Sequence, residues 1–141
     1  MRAVGAFPAA AGRADLAIVD HEAGGTPRLV ECRRGFLGEV RALVAQGAVG
    51  AVGVVGDLDD AREGELRRLR GECSRSRVPF VAFRSTAALK GAFGIPRRCD
   101  HEDIAAEASR LLGLAGVVKP LSCGVAALAA LAALATPEDP L

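Results

Sequence analysis

The densest run of potential acid, base and nucleophile in this chain is Cys99-Asp100-His101-Glu102. Neighbouring side chains diverge along a helix or a strand, so this run does not by itself make a catalytic pair. The only other histidine is His21, and nothing in the sequence brings it near. No Ser-His-Asp or Cys-His arrangement follows. Asp57 and Asp59 close an apolar run, where a strand end could offer them to Mg²⁺, but no distal lysine completes a receiver-like site. Gly50, Gly53 and Gly56 are spaced every three residues inside that run and lack a following Lys-Ser or Lys-Thr, so they do not form a phosphate loop. Cys32, Cys73, Cys99 and Cys123 show no paired spacing, which favours reduced thiols over a metal site or a disulfide framework. The expectation is a protein with no catalytic residues, no metal and no cofactor.

Elements to position such groups can be read along the 141 residues. Half of the residues are hydrophobic, enough for a core, and the length suits one domain. Residues 1–13, rich in Ala and Gly, read as a loose leader. Residues 14–136 read as a single α/β/α domain, and 137–141 as a frayed tail. Ala14 to Asp20 is a short apolar segment, and Arg28 to Arg34 a first strand. Val40, Leu43 and Val44 share one face of a helix from Glu39 to Gln46, which Gly47 stops. Val49 to Val55 is uncharged and reads as a buried central strand. A helix from Ala61 to Ser74, capped by Asp59 or Asp60, packs Leu66, Leu69 and Cys73 inward. Its outer arginines, Arg62, Arg67, Arg68 and Arg70, read as a solvated face with Glu63 and Glu65 nearby, or as a second patch for RNA or an acidic partner. Pro79 opens a strand of Phe80, Val81 and Phe83, and Ser85 caps the next helix. A helix over 102–112 follows, then a nearly all Ala and Leu helix from Val125 to Ala135. Strand and helix alternate, so the fold expected is a three-layer α/β/α sandwich on a mixed sheet of about four strands.

Three motifs carry a family resemblance. Cys73, Val78, Pro79, Phe80, Ser85 and Leu89 match the signature of the kink-turn RNA-binding ribosomal protein superfamily, with departures at Thr86 and Lys90. The stretch from Glu39 through Gly47 to Asp57 and Asp59 resembles that family's first conserved helix, turn and central strand. Gly94-Ile95-Pro96-Arg97 is similar to its Gly-x-Pro-Arg loop. The match spans roughly residues 30–98. The family has a long helix before its first strand and an apolar strand after the Pro-Arg loop, and neither end of this chain reads that way.

The resemblance implies a non-catalytic protein that binds a kinked or internally looped RNA inside a snoRNP, a ribonuclease P type particle or a ribosome. It implies RNA contact by Glu39, at a helix start that favours acids in any case. Gly38 falls where the family has Asn, and Ala42 where it has Lys, so Arg33, Arg34 and Arg41 would supply phosphate contacts instead. Ile95, Arg97 and Arg98 would complete the RNA surface from the second loop. The partners implied are structured RNA and other ribonucleoprotein proteins. The location implied is the nucleus, nucleolus or cytoplasm, without a membrane, since the run Val125 to Ala135 is too short to span one. The alternative is a growth-arrest type member that works through protein contacts. A net charge of +1 suits that alternative.

Overall fold

A computed structural model describes residues 1–9, 12–56 and 64–135. The strands are β1 (Arg2–Pro8), β2 (Arg13–Asp20), β3 (Arg28–Phe36), β4 (Ala51–Val55) and β5 (Phe80–Phe83). The helices are α1 (Leu37–Ala45), α2 (Gly64–Arg75), α3 (Thr86–Ala92), α4 (His101–Leu111) and α5 (Leu121–Ala135). One sheet holds all five strands in the order β3-β2-β1-β4-β5. The pairs β1–β2 and β2–β3 are antiparallel, while β1–β4 and β4–β5 are parallel.

Alternation along each strand divides the core in two. Val4, Ala6, Leu16, Val52 and Val54 face α1 and α2, where Leu37, Val40, Val44, Leu66, Leu69 and Cys73 meet them. Ala3, Ala17, Val19, Ala51 and Val55 face the other way, onto α5 with α3 and α4 beside it. The result is the expected three-layer α/β/α arrangement, with five strands instead of about four.

The seating of α5 explains its composition. Gly5 on β1 and Gly53 on β4 lie under the helix, and a Cβ at either would overlap a backbone carbonyl, that of Ala126 or of Ala129. Gly124 is as close to Ala105 of α4. Bare backbone beneath and small side chains on the helix let α5 lie directly on the two middle strands. Residues 123 to 131 of α5, and 133 after one gap, are all buried, and most of them are Ala or Leu.

Residues 1–13, expected as a loose leader, contain β1, the middle strand of the sheet. Its residues are small because they lie beneath α5, and their Ala and Gly content reads as looseness only without that partner. The expected central strand Val49 to Val55 is β4, buried along its whole length but second from one edge. The Ser85 cap is present, its hydroxyl accepting from the Ala88 amide at 3.3 Å. Residue 102 onward is helical, as expected, and Asp100 opens α4 with a reciprocal capping box to Asp103. The arginine face of α2 is laced to its own acids, Arg68–Glu65 at 2.8 Å and Arg75–Glu72 at 2.6 Å. The Asp59 or Asp60 cap and the tail 137–141 lie outside the described residues.

Gly53→Ala forces α5 off the sheet and lowers unfolding free energy by about 1–3 kcal/mol or more. Gly38→Ala in α1 meets nothing within 4 Å. It raises stability by roughly 0.5–1 kcal/mol through helix propensity. Denaturant titrations of the two variants against the parent check both signs.

Candidate functional site at the carboxyl end of the sheet

Strand β1 leads to β2 on one side of the sheet, and β4 leads toward β5 on the other. The chain therefore parts in opposite directions at the carboxyl ends of β1 and β4. Open α/β sheets bind ligands at such a switch point.

The register defines the last rung of the sheet there. Phe7 of β1 pairs with Asp15 of β2, which pairs with Arg34 of β3. On the other side, the pairing Ala6–Val54 sets Val55 next to Phe7, and Val55 pairs with Phe83. All five side chains lie on the α5 face, since directly opposite residues share a face. The rung thus reads Arg34, Asp15, Phe7, Val55, Phe83. From above, the His101 ring at the start of α4 meets the Phe7 ring edge-on, with centroids 5.7 Å apart. The first turn of α5 brings Cys123 near Asp15 and Arg34.

Asp15 is the unusual member. It is 4 % exposed, and its one charged partner, Arg34, has Nε 3.6 Å from its Oδ1. Among the described residues no donor hydrogen-bonds its carboxylate. A buried carboxylate ordinarily collects donors, because desolvation without them is costly. Arg34 itself is 64 % exposed and reaches outward. Sequence reading passed over Asp15, although it is the single acid within the apolar segment Ala14 to Val19, and that was the signal available.

A second feature is the loop between α3 and α4. The Lys90 side chain is buried and donates to the Arg97 carbonyl at 3.3 Å and to the Cys99 carbonyl. This anchors a turn that displays Arg97 and Arg98 to solvent and ends at the Asp100 cap, beside Phe7.

The expected RNA surface does not assemble. Arg33 and Arg34 are neighbours on a strand, so they point to opposite faces. Arg33 lies on the α1 side and binds Glu31 at 2.8 Å and Glu39 at 2.5 Å. That ion pair holds the Glu39 carboxyl below its ordinary range, with a backbone contribution from Phe36. Glu39 is thus engaged by Arg33. Arg41, also on α1, lies 4.0 Å from Glu65 of α2. Gly38 opens α1 beside them. Ile95 packs half-buried against the α5 cluster, with Arg97 and Arg98 exposed next to it. Gly38, Glu39, Arg33 and Arg41 therefore occupy one layer, and Arg34, Ile95, Arg97 and Arg98 the other.

Metal-assisted phosphodiester hydrolysis needs carboxylates converging on cations. The rung offers Asp15 alone between Arg34 and three apolar side chains, and the first α5 turn, Leu121 to Gly124, has no acid. Among the described residues no three His, Cys, Asp or Glu side chains converge in a way that could hold a metal ion. The described residues do not fit such a metal. Asp57, Asp59, Asp60 and Glu63 follow the carboxyl end of β4 in sequence and lie outside the described residues.

Two predictions attach to these groups. Lys90→Met removes charge-assisted bonds to two carbonyls and lowers stability by about 1–3 kcal/mol. Amide exchange across 94–100 accelerates more than elsewhere, and equal change throughout the chain would refute the anchoring role. The lowered Glu39 pKa stabilises the folded state above the unfolded carboxyl value and ceases to do so as pH falls through the lowered one. Glu39→Gln should accordingly flatten the acid limb of a stability–pH curve, measured below about pH 5.

No family model matches the chain, and no curated protein matches it. Solved structures do. A structure of RuvC from Thermus thermophilus superposes with a TM-score of 0.69 at 21 % identity, covering 93 % of this chain and 92 % of that one. RuvC from the same organism in complex with a Holliday junction substrate gives 0.60 at 18 % identity, covering 93 % and 91 %. The kink-turn resemblance is overturned by this match and by the topology. Where that family has a long first helix the chain forms the β1–β2 hairpin, and where it has a strand after the Pro-Arg loop the chain forms α4. The implied ribosomal, snoRNP and ribonuclease P roles fall with it. So do the structured-RNA partner, the nucleolar location and the growth-arrest alternative. The non-enzyme expectation rested on the same resemblance, and the RuvC match overturns it too: the neighbour was solved with DNA described as its substrate. Among the described residues no helix is long and apolar enough to cross a membrane. The chain has the fold of RuvC.

Proposed function

We propose that this chain acts on branched DNA, with the junction as its substrate, at the carboxyl end of the sheet. The observation that carries the proposal is the likeness, over nearly the whole of both chains, to a RuvC structure holding a Holliday junction substrate.

The residues at that end suit the task. Arg34 on the outer strand, and Arg97 and Arg98 on the anchored loop, are exposed and flank the rung from two sides. Guanidinium forks bind phosphate oxygens bidentately. A net charge of +1 makes this attraction local rather than global, which suits a shaped DNA target over any polyanion. The apolar middle of the rung, Phe7, Val55 and Phe83, keeps water away from the Asp15–Arg34 pair and fixes where Arg34 emerges.

Cleavage of the bound strand is the nuclease half of the proposal. Its carboxylates would come from Asp57, Asp59, Asp60 or Glu63 together with Asp15. No step is derived for it from the described residues.

The test is a titration of a four-way DNA junction against a linear duplex of the same sequence, with binding and strand cleavage followed separately. Junction preference of tenfold or more, about 1.4 kcal/mol, is expected. Joint replacement of Arg34, Arg97 and Arg98 by Ala should weaken binding and reduce the salt slope by about 0.9 for each phosphate these arginines neutralise. Equal binding to both DNAs would overturn the junction reading. Cutting in Mg²⁺ or Mn²⁺ that fails in Asp57→Asn or Asp59→Asn would support the nuclease half. Tight junction binding with intact strands in both metals would overturn that half alone.

A further inference from the structure

Two of the four cysteines meet at this end of the molecule. Cys32 pairs in register with Ala17 and so lies on the α5 face of β3, two residues before Arg34. Cys123 lies buried in the first turn of α5, and the two thiols hydrogen-bond to each other. Strand β3 is an edge of the sheet, and Cys32 is only partly buried, so a small oxidant reaches it from outside. The other two do not share this arrangement. Cys73 is buried in the opposite layer under α2, and Cys99 lies in the loop before α4.

We propose that Cys32 and Cys123 form a redox modification site, closing to a reversible disulfide that ties the edge strand to α5. This inference is independent of the function proposed above. The oxidant is a hydroperoxide. The Cys32 sulfur attacks one peroxide oxygen, the O–O bond breaks, and an S–O bond forms, giving a sulfenic acid and one water. The Cys123 sulfur then attacks the Cys32 sulfur, the S–S bond forms, and the hydroxyl leaves with the remaining thiol proton as a second water. Two thiols and one hydrogen peroxide become one disulfide and two waters. A dithiol reverses the bond by exchange through a mixed disulfide. Burial raises both thiols above their ordinary range, which makes closure slow and keeps the pair reduced until the oxidant persists.

The bond would fasten the start of α5 beside the Asp15–Arg34 pair. It would also close a loop of roughly a hundred residues, the range in which cross-links restrict the unfolded chain most.

The experiment treats the full chain with hydrogen peroxide, blocks remaining thiols with iodoacetamide, and maps peptides without reduction. Expected are a mass loss of two hydrogens, a Cys32–Cys123 linked peptide, and a melting temperature raised by on the order of 10 °C, all reversed by dithiothreitol. Cys32→Ser and Cys123→Ser each abolish the linked peptide, whereas Cys99→Ser leaves it. Peptide mapping of the unsubstituted chain decides the matter even if a serine variant fails to fold. Links that join other cysteines, sulfinic or sulfonic acid at Cys32 without a link, or four free thiols after prolonged treatment would each overturn the proposal.

Discussion

The contact between α5 and the backbones of β1 and β4 is the constraint on which this structure depends. Gly5 and Gly53 have no Cβ, and that absence brings a helix down onto the two middle strands. The consequence runs outward. A helix so close can carry only small residues toward the sheet, which accounts for the Ala-rich run from Val125 to Ala135. Gly124 repeats the device sideways, drawing α4 against α5 through Ala105. The position of α4 in turn brings His101 onto Phe7 and sets where the Arg97–Arg98 loop ends. Dispersion contacts in such a layer are individually small but numerous, and a void or an extra methyl is felt along the whole interface.

Much of this architecture was legible because local physics writes it into short spans. The uncharged run ending at Val55, the inward stripe of α2, the Ser85 cap and the helix after Asp100 follow from patterns that need no distant partner. The same locality explains the mistaken family. Helix, Pro-led strand, Ser cap and helix form a general αβα unit, and its punctuation marks the geometry of the unit more than the ancestry of the chain. What separates one such fold from another is which strands pair, and pairing is a long-range property. The β1–β2 hairpin could not be read from Ala and Gly alone, since small residues signal a loop or a close contact according to what lies above them.

The site was less legible for a geometric reason. Arg33 and Arg34 adjoin in sequence, yet the period of the strand sends one to Glu39 and the other to Asp15. A cluster of like residues in sequence is therefore no cluster in space when it falls on a strand. Conversely, Arg34, Asp15, Phe7, Val55 and Phe83 come from five strands and share a rung that no window of sequence displays. Asp15 was visible as a letter, but its burial was not, because burial arises from α5 overhead.

That rung also shows how the fold and its use are linked. The carboxyl end of β1 carries Phe7, and the carboxyl end of β4 carries Val55, so the described switch point is apolar at its centre and charged toward its rim. Charges on a rim around an apolar floor act at short range, in a medium less polar than water, where an arginine binds phosphate more strongly than it would on an open surface. Arg34 stands in that position because Asp15, sealed beneath it, attracts its stem end while its fork stays in solvent. Lys90 serves the opposite side of the rim by donating to two carbonyls, so that the arginines of the loop face outward without competing partners among the described residues. Two buried charges, one of each sign, thus orient the exposed cations on either flank. The groups that meet a ligand here are set by groups that never touch it.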